Sequence, residues 1–307
     1  MPERREEIVQ LLRGRVLRGI ESGALSPGDR LPSGRDVAAE LEADHRSILA
    51  AYRLLASEGL VAMRPRGGVY VAAHAAGKGV PPLPAAWLAD VLSEGLSRSI
   101  PASGLHEWLR RCTETLRLRV AVVATTQDQL HGLCRELRDD FGLEAEHLLV
   151  ADLGRPDLPL ALRRADAIVT TPAHAGRLRV VGAEIQKPVF VIEVRPDLMA
   201  GEWALLLRQP VYVVVATVEF GEMIRGYFAS TEGRGNLNIL VVGRDDVSSI
   251  PEGAPTYITQ SVRASLKGIN IGGRILPPAR TISSRSAREI YGFIVDSNIA
   301  AMSRLVR

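Results

Sequence analysis

The sequence LSPGDRLPSGRDVAAEL (residues 25–41), followed by AAYRLLASEGLVAMRPRGGVYV (residues 50–71), decides the fold of the amino-terminal part of the chain. Its first prolines and its glycine are typical of a turn. A serine and an aspartate then precede two helical patterns, over residues 34–41 and 45–58, and such side chains cap helices by accepting backbone N–H groups. The stretch therefore predicts a turn, a short helix and a longer helix in close succession.

A further helix precedes this stretch, and a hairpin closes it. Apolar residues recur every three or four positions over residues 3–22, from Ile8 to Ile20, as in an amphipathic helix. Residues 60–63 and 69–71 are short apolar runs typical of strands, and the loop between them contains two arginines and two glycines. Three helices followed by a hairpin with a basic tip predict a winged helix-turn-helix domain.

This order of elements suits binding to DNA. A short second helix and a tight turn present the amino-terminal end of the third helix to the major groove. The basic hairpin can then reach a flanking phosphate or the minor groove. Residues 1–75 contain eleven arginines against ten acidic residues, so the prediction rests on where the arginines lie and not on net charge.

The two quoted segments resemble the GntR family of bacterial regulators, over about residues 5–73. Separated elements agree in order and spacing: Pro-Gly-Asp-x-Leu-Pro-Ser, an arginine two residues on, Glu-Gly-Leu-Val, and Gly-x-Tyr-Val. The resemblance implies DNA contacts by Arg35, by residues 45–47 and by the wing around Gly67. With the arginines of the third helix and the wing added, the predicted DNA-contacting residues are Arg35, His45, Arg46, Ser47, Arg53, Arg64, Arg66 and Gly67.

The third helix departs from the family pattern at its start. Where the family usually has Ser-Arg before Thr-Val-Arg, residues 44–49 read DHRSIL, so the arginine is displaced by one position. Leu49 stands in place of an arginine that commonly contacts a phosphate. We therefore expect an operator preference that differs from the family norm. The alternative that these residues do not contact DNA stays open. An arginine on a helix is often only solvated, and His45 also suits an exposed helix start.

The composition indicates an ordinary globular protein of two domains. The chain has 307 residues, of which 46% are hydrophobic and 24% charged, and its net charge is +3. Cys112 and Cys134 suit neither a disulfide framework nor a zinc site, which favours a reducing, cytoplasmic setting. The charged start and the lack of a long apolar run argue against a signal peptide and against a membrane partner.

A connector follows the winged helix. Residues 74–84 are rich in glycine and proline and predict a linker, and residues 85–116 contain two helical patterns. These helices suit packing on the carboxy-terminal domain or on a second copy of the chain. We expect a homodimer, because regulators of this kind read two half-sites. The predicted domains are a DNA-binding domain of residues 1–73 and an effector-binding or dimerisation domain of residues 118–307, joined by a linker and connecting helices over residues 74–117.

The rest of the chain alternates strand and helix patterns, which predicts an α/β domain with largely parallel sheets. Helices are predicted over residues 196–207 and after a strand at residues 256–259. The length and alternation resemble the periplasmic-binding-protein-like effector domains of LysR-type and related regulators, in which two half-domains flank a cleft. That resemblance implies that the chain crosses between the halves near residues 186–188 and 244–255. The predicted fold class is therefore multidomain, a winged helix-turn-helix (α+β) plus an α/β domain of this type.

Hydroxyl groups recur where the predicted strands end. The carboxyl ends of parallel strands and the following helix starts form ligand sites in such sheets, and hydroxyls there suit a small polar or anionic effector. A threonine after a strand is also often only the cap of the next helix, and this alternative stays open. The predicted ligand-binding residues are Thr125, Thr126, Thr170, Thr171, Thr217, Thr259 and Gln260.

Catalytic motifs are absent from the sequence. No Gly-x-Ser-x-Gly, P-loop or Gly-x-Gly-x-x-Gly follows a strand, and the histidines lack metal-ligand spacing. A pyridoxal-phosphate domain, which occurs fused to such heads, is much larger and needs a lysine in a pocket. We therefore expect no enzymatic activity, no catalytic residue, no cofactor and no metal.

These observations predict a homodimeric transcription factor whose partners are double-stranded operator DNA and a small-molecule effector. Two alternatives stay open. In the first, the chain is a small-molecule-binding or enzymatic α/β protein whose winged helix only mediates protein contacts. In the second, it is a regulator whose carboxy-terminal domain is a ligand-free dimerisation platform. The basic wing favours DNA over the first alternative, because a surface for protein contacts has little use for arginines at a glycine-rich tip.

Overall fold

A computed structural model describes residues 2–21, 25–64, 67–72, 85–154, 159–195, 198 and 203–305. The chain divides into two compact units. The first is Met1–Ser99 with Gly201–Leu206, and the second is Ile100–Ala200 with Leu207–Arg307. The linker predicted over residues 74–84 lies outside the described residues, and the domain boundaries predicted at residues 73 and 117 stay predictions.

The first unit contains the predicted winged helix. Its elements are α1 (Pro2–Glu21), α2 (Gly34–Glu40), α3 (His45–Ser57), β1 (Val61–Arg64), β2 (Gly68–Val71) and α4 (Ala85–Ser97). Strands β1 and β2 are antiparallel, with Val61 opposite Val71 and Arg64 opposite Gly68. The segment before α2 adds a short edge to this hairpin, because Leu31 N–H donates to the Val69 carbonyl at 2.9 Å.

The core of the first unit is the inner face of α3. Ile48, Ala51 and Leu55 are completely buried there. Tyr52 lies among them, and its hydroxyl donates to the Pro32 carbonyl at 3.0 Å, which ties α3 to the turn before α2. Burial raises the pKa of Tyr52 to about 12, so the phenol stays a neutral donor.

The second unit contains two parallel sheets. Its elements are α5 (Ala102–Glu114), β3 (Arg119–Ala124), α6 (Gln127–Phe141), β4 (Glu144–Leu149), α7 (Leu160–Arg164), β5 (Ala167–Thr170), α8 (Ala175–Glu184), β6 (Val189–Val191), β7 (Val211–Val215), α9 (Val218–Tyr227), β8 (Leu237–Val241), β9 (Pro255–Ile258), β10 (Arg274–Ile275) and α10 (Ser284–Leu305). The first sheet has the order β4-β3-β5-β6 and the second the order β10-β9-β7-β8. Both sheets therefore place their first strand between the second and the third.

We call β3–β6 with α6–α8 the first half-domain, and β7–β10 with α9 the second half-domain. All their strand pairs are parallel, for example Val120 with Ala145 and with Ala167, and Tyr212 with Thr256. Parallel strands buried on both faces need near-continuous apolar runs, and β3 and β7 have them. The prediction of an α/β domain with parallel sheets is confirmed.

The chain crosses between the half-domains twice, but both predicted crossing points are wrong. Residues 186–188 join α8 to β6, and residues 244–254 join β8 to β9, so each loop stays within one half-domain. The first crossing lies between β6 and β7. The second follows β10, a two-residue strand too short to produce a periodic signal, and leads into α10.

The return segment is anchored on the first half-domain. Ile282 forms an antiparallel bridge with Val194, and Ser283 N–H donates to the Glu193 carbonyl at 2.9 Å. Helix α10 then buries Ile290 and Ile294 in the core of the first half-domain. The carboxy-terminal helix therefore completes the half-domain in which the unit began.

Two predicted helices differ from the structure. Residues 260–268 form turns and not a helix after β9. Of the helix predicted over residues 196–207, the structure describes a helical turn at Ala204–Leu206 and single residues before it, while residues 196–197 and 199–202 lie outside the described residues.

The connector helices belong to different units. Helix α4 lies in the first unit and α5 in the second. Helix α5 packs against α10, where Cys112 is buried and Leu116 N–H donates to Asn298 Oδ1 at 2.7 Å. None of the described helices is long and apolar enough to cross a membrane.

Candidate nucleic-acid interface and effector cleft

The start of α3 is closed by its own cap. Asp44 accepts the backbone N–H groups of Arg46 at 3.1 Å and of Ser47 at 3.2 Å. These amides are therefore occupied and cannot donate to a phosphate in this arrangement. Arg46 itself is exposed, as is Arg53 two turns later, so their guanidinium groups are available to a partner.

Helix α2 approaches α3 closely at a glycine. A Cβ atom placed on Gly34 would lie 3.2 Å from His45 Nε2 and 3.2 Å from Leu49 Cδ2. His45 and Leu49 are both half-buried and so take part in the packing of the two helices. Arg35, the neighbour of Gly34, is exposed at the start of α2.

The start of α2 is held by a reciprocal cap. Ser33 N–H donates to Asp36 Oδ2 at 3.1 Å, and Asp36 N–H donates to Ser33 Oγ at 3.3 Å. This is a capping box with aspartate at its third helical position, and it fixes the direction in which the helix leaves the turn. Arg35 lies between the two capping residues, so its backbone is rigidly placed.

The wing is braced by an aromatic residue. The Arg64 guanidinium lies over the Tyr70 ring, 4.2 Å from its centroid, and the Tyr70 hydroxyl donates to the Gly67 carbonyl at 2.9 Å. Gly68 has a φ of +105°, which favours glycine, and a Cβ there would lie 3.3 Å from Arg30 Nε. Arg66 lies outside the described residues.

Asp128 organises the carboxyl ends of the second sheet. Its buried carboxylate accepts the N–H groups of Ala216 at 3.0 Å and Thr217 at 3.2 Å. It also accepts the hydroxyls of Thr217 at 3.2 Å, Thr259 at 2.6 Å and Ser261. Two of the predicted ligand-binding threonines therefore meet, but around a side chain of the protein itself.

The other predicted effector residues have separate surroundings. Thr170 is completely buried and donates to the Val123 carbonyl at 2.9 Å, and Thr126 accepts Gln129 N–H at 3.3 Å as the cap of α6. Thr125 is exposed, and its hydroxyl lies 2.7 Å from His174 Nε2. Thr171 is half-buried beside Pro172, and Gln260 is exposed. The structure thus does not gather all seven predicted residues around one point.

Two half-buried residues near Asp128 and Ser261 in the sequence have buried side-chain atoms. Among the described residues, these atoms have no hydrogen-bond partner. They are Nε and Nη2 of Arg263, two residues after Ser261, and Oε1 of Gln129, the neighbour of Asp128. Buried donors and acceptors are normally paired with protein, water or a ligand. The described residues supply no acceptor for these two guanidinium nitrogens of Arg263.

A histidine pair lies outside these sites. The rings of His131 and His147 have centroids 4.9 Å apart, and His131 Nδ1 lies 2.8 Å from the Gln127 carbonyl. Desolvation and the neighbouring His131 lower the pKa of His147, which keeps it neutral. Among the described residues, no group of three or more His, Cys, Asp or Glu side chains could hold a metal ion.

Residues 5–71 match the family model of bacterial regulatory proteins of the gntR family. They form a winged helix-turn-helix and are similar to the domains of that family. The family predicted for this part of the chain is therefore confirmed. The domain type of the second unit is not covered by this match.

Three curated relatives are similar to part of the chain. An HTH-type transcriptional regulator of Mycobacterium tuberculosis is 42% identical over 60 residues, 20% of this chain and 50% of that protein. The uncharacterized HTH-type transcriptional regulator YdcR of Escherichia coli is 46% identical over 56 residues, 18% of this chain and 12% of that protein. The HTH-type transcriptional repressor YtrA of Bacillus subtilis is 25% identical over 115 residues, 36% of this chain and 85% of that protein. The chain thus spans half or less of the length of the first two relatives.

Two solved structures are also similar. A GntR family transcriptional regulator from Listeria monocytogenes aligns over 35% of this chain and 92% of its own, at 19% identity and a TM-score of 0.27. A transcriptional regulator from Oenococcus oeni aligns over 34% of this chain and 88% of its own, at 18% identity and a TM-score of 0.25.

Two residues of the sites escaped the sequence analysis. Arg30 is the variable position of the Pro-Gly-Asp-x-Leu-Pro-Ser element of the GntR domain, and its bridge to Tyr70 places it beside the wing. The one signal for Arg30 was its charge. Asp128 has the signal of an acidic residue in the first turn of a helix, which normally indicates only a favourable helix start.

Proposed function

We propose that this protein is a DNA-binding transcription factor that binds a two-fold operator as a homodimer and responds to a small polar or anionic effector. The observation that carries the proposal is a GntR-family domain in which α2, α3 and the wing each expose an arginine, namely Arg35, Arg46 and Arg64. Guanidinium groups on these three elements suit contacts to phosphates and to base edges. Arg30 adds a positive charge beside the wing.

The predicted contacts at His45, Ser47, Arg53, Arg66 and Gly67 belong to the same proposal. The packing of His45 and Leu49 against Gly34 supports an atypical reading helix, because it half-buries two side chains at the start of α3. Base contacts near the start of α3 then fall mainly to Arg46. Operator preference follows from this arrangement and differs from the family norm.

A salt titration tests DNA binding without knowledge of the operator. We expect the full chain to bind a labelled nonspecific duplex with an affinity that falls steeply with salt, because phosphate contacts release counterions. In the variant Arg35→Ala/Arg46→Ala we expect weaker binding and a logarithmic salt slope reduced by about 2. The matched control is Arg177→Ala/Arg179→Ala, which removes two exposed arginines of α8.

Unchanged binding in the Arg35→Ala/Arg46→Ala variant would contradict the assigned contacts. A parent chain that shows no salt-dependent binding would favour the alternative in which the winged helix mediates protein contacts.

The effector part of the proposal concerns the carboxyl ends of the two sheets. Thr125, Thr171 and Gln260 are accessible there, whereas the hydroxyls of Thr126, Thr170, Thr217 and Thr259 already have protein partners. The unpaired guanidinium nitrogens of the half-buried Arg263 support an anionic effector, because hydrogen bonds from a guanidinium to an anion are among the strong ones. Two half-domains with one strand order suit the two-lobed effector domains that the sequence resembles.

Thermal shift with a panel of small carboxylates and phosphates tests this part. A ligand at about 100 times its dissociation constant stabilises by about 2.7 kcal/mol, which is measurable as a rise in the unfolding temperature. We expect the rise to disappear in Arg263→Gln and to persist in Arg288→Gln, an exposed arginine of α10. Lack of stabilisation by any compound of the panel would favour the ligand-free dimerisation platform.

The homodimer is supported by the surface of α5. Trp108 and Leu109 lie there with 50% and 57% of their surfaces exposed, and large exposed apolar side chains on one helix are typical of an interface. We expect light scattering to give the mass of a dimer for the full chain. The variant Trp108→Glu/Leu109→Glu should give the mass of a monomer, and a dimer in that variant would place the interface elsewhere.

A further inference from the structure

The Asp128 carboxylate joins the two half-domains. Asp128 is the second residue of α6 and therefore belongs to the first half-domain, where it is only 2% exposed. The five groups that donate to it, from Ala216, Thr217, Thr259 and Ser261, all follow strands β7 and β9 of the second half-domain. A single side chain thus spans the space between the carboxyl ends of the two sheets.

The chemistry of this contact is that of a bound anion. A buried carboxylate is stable only when donors satisfy its oxygens, and Asp128 receives backbone N–H groups at the start of α9 together with three hydroxyls. Donors at strand ends and helix starts are also the groups that hold anionic ligands in sheets of this kind. Here the protein supplies the anion from its own first half-domain, so closure of this end needs no bound molecule.

A second carboxylate of α6 holds the return crossing. Glu136 lies eight residues after Asp128, about 12 Å further along the helix axis. It accepts the N–H and hydroxyl of Thr281 at 2.9 Å and the N–H of Ile282 at 2.8 Å. These donors belong to the segment that connects the second half-domain to α10. At this point the covalent chain itself limits how far the second half-domain can move.

We propose that Asp128 is a latch that holds the second half-domain closed on the first, and that its release lets the second half-domain turn about the crossing anchored by Glu136. The two contacts differ in what they hold. Glu136 binds chain that is anchored on the first half-domain by the Ile282–Val194 bridge. Asp128 binds the strand ends of the second half-domain directly. Beside Asp128, Gln129 Nε2 also donates across to Met223 Sδ of α9 at 3.1 Å, a single contact to a weak acceptor. Loss of the five hydrogen bonds to Asp128 therefore loosens one end of the interface while the other stays attached.

The latch at Asp128 is independent of DNA binding. Its loss has a different effect from the loss of a carboxylate that only stabilises the fold. Replacement of a carboxylate that only stabilises the fold would lower the stability of the unit and leave the separation of the two half-domains unchanged. A latch would change the separation in a protein that stays folded. The distance between the half-domains is therefore the quantity to measure.

Spin labels on the full chain give this distance. Ala173→Cys, after β5, and Glu219→Cys, after β7, place one exposed label on each half-domain, while Cys112 and Cys134 are buried. In Asp128→Asn the amide nitrogen cannot accept the donors, and we expect a longer and broader distance distribution than in the labelled parent. The matched control is Asp139→Asn, an exposed carboxylate of the same helix, which should leave the distribution unchanged.

An unchanged distribution in folded Asp128→Asn would overturn the latch, as would an equal lengthening in Asp139→Asn. Circular dichroism reports whether Asp128→Asn folds. If it does not, Thr259→Val/Ser261→Ala removes two donors from the opposite side of the contact and leaves the carboxylate in place. The distance between the two labels is then measured in that variant. A longer distance would support the latch, and an unchanged distance would overturn it.

Discussion

Leu49 shows how one residue of α3, the helix that we propose reads DNA, can serve packing between helices. The GntR pattern commonly has an arginine at this position, whereas here the leucine lies against Gly34 of α2 together with His45. An apolar side chain suits a half-buried position between two helices, where a guanidinium would have to leave the contact to stay hydrated. The departure from the family pattern therefore has a physical cause in the packing of α2 on α3.

The reactivity of Cys134 is a prediction at the same scale. Burial on the inner face of α6 raises the pKa of its thiol to about 11, so about one thiol in a thousand is ionised at pH 8. We expect Ellman's reagent to modify the native chain slowly and the chain in guanidinium chloride at once. An added surface thiol in Ala173→Cys is the positive control. Modification of Cys134 in the native chain as fast as in denaturant would contradict the described burial.

Among the elements, α3 depends most visibly on a single cap. Asp44 accepts two of its first backbone N–H groups, and the helix then packs against both α1 and α2. The opposite end of α3 is tied to α1 by an ion pair between Arg13 and Glu58 that has two hydrogen bonds. The helix for which we propose DNA contacts is thus fixed at both ends.

Removal of the cap should loosen α3. Asp44→Ala leaves two N–H groups unpaired and should cost about 1 kcal/mol, whereas Asp44→Asn keeps an accepting oxygen and should cost a few tenths. Hydrogen exchange followed by mass spectrometry over residues 45–57 is the measurement, with exchange about fivefold faster in the alanine variant. Equal exchange in the two variants would show that Asp44 does not stabilise the helix by capping.

The second unit as a whole depends on contacts far apart in the chain. Its last helix completes the core of the half-domain that β3 begins, and the return segment before it is held by Glu136. Glu136 is only 3% exposed, and its burial raises the pKa of its carboxyl although Thr281 and Ile282 donate to it. This carboxylate is therefore central to how the chain returns.

Replacement of Glu136 should destabilise the second unit. Glu136→Ala leaves the N–H groups of Thr281 and Ile282 without their acceptor, at a cost of roughly 1–3 kcal/mol for each buried donor. Calorimetry of the full chain should show a lower unfolding temperature for the second unit. The control Glu144→Ala removes an exposed partner of Arg119 and should change stability by less than about 1 kcal/mol. A similar effect of both variants would contradict the role given to Glu136.

Most of the fold could be predicted from local signals. The caps Ser33 and Asp44 each lie next to the helix that they start, and the helix predicted over residues 45–58 is Helix α3 within one residue. The buried runs of β3 and β7 likewise identify parallel strands from their own composition. Strand β10 could not be predicted, because two residues are too few to show a periodic pattern. The crossings could not be predicted either, because the proline-containing segment after β10 has no periodicity.

The candidate cleft shows the same division. Thr217 and Thr259 could be placed at strand ends from the sequence, but their meeting around Asp128 could not, since these residues are 89 and 131 positions away from it. No spacing rule connects a helix start in one half-domain to strand ends in another. The hydroxyls were therefore assigned to a ligand, whereas the fold gives them to a carboxylate of the chain.

What the sequence by itself determined is the winged helix, its GntR motifs and the alternation of strands and helices, because each of these depends on residues within a few turns of one another. The tertiary structure alone decided that Leu49 packs on Gly34, that Arg30 joins the wing, and that Asp128 accepts hydrogen bonds from the second half-domain. These contacts arise only when distant segments are brought together, and their energy comes from burial and hydrogen bonding across the fold and not from local preference.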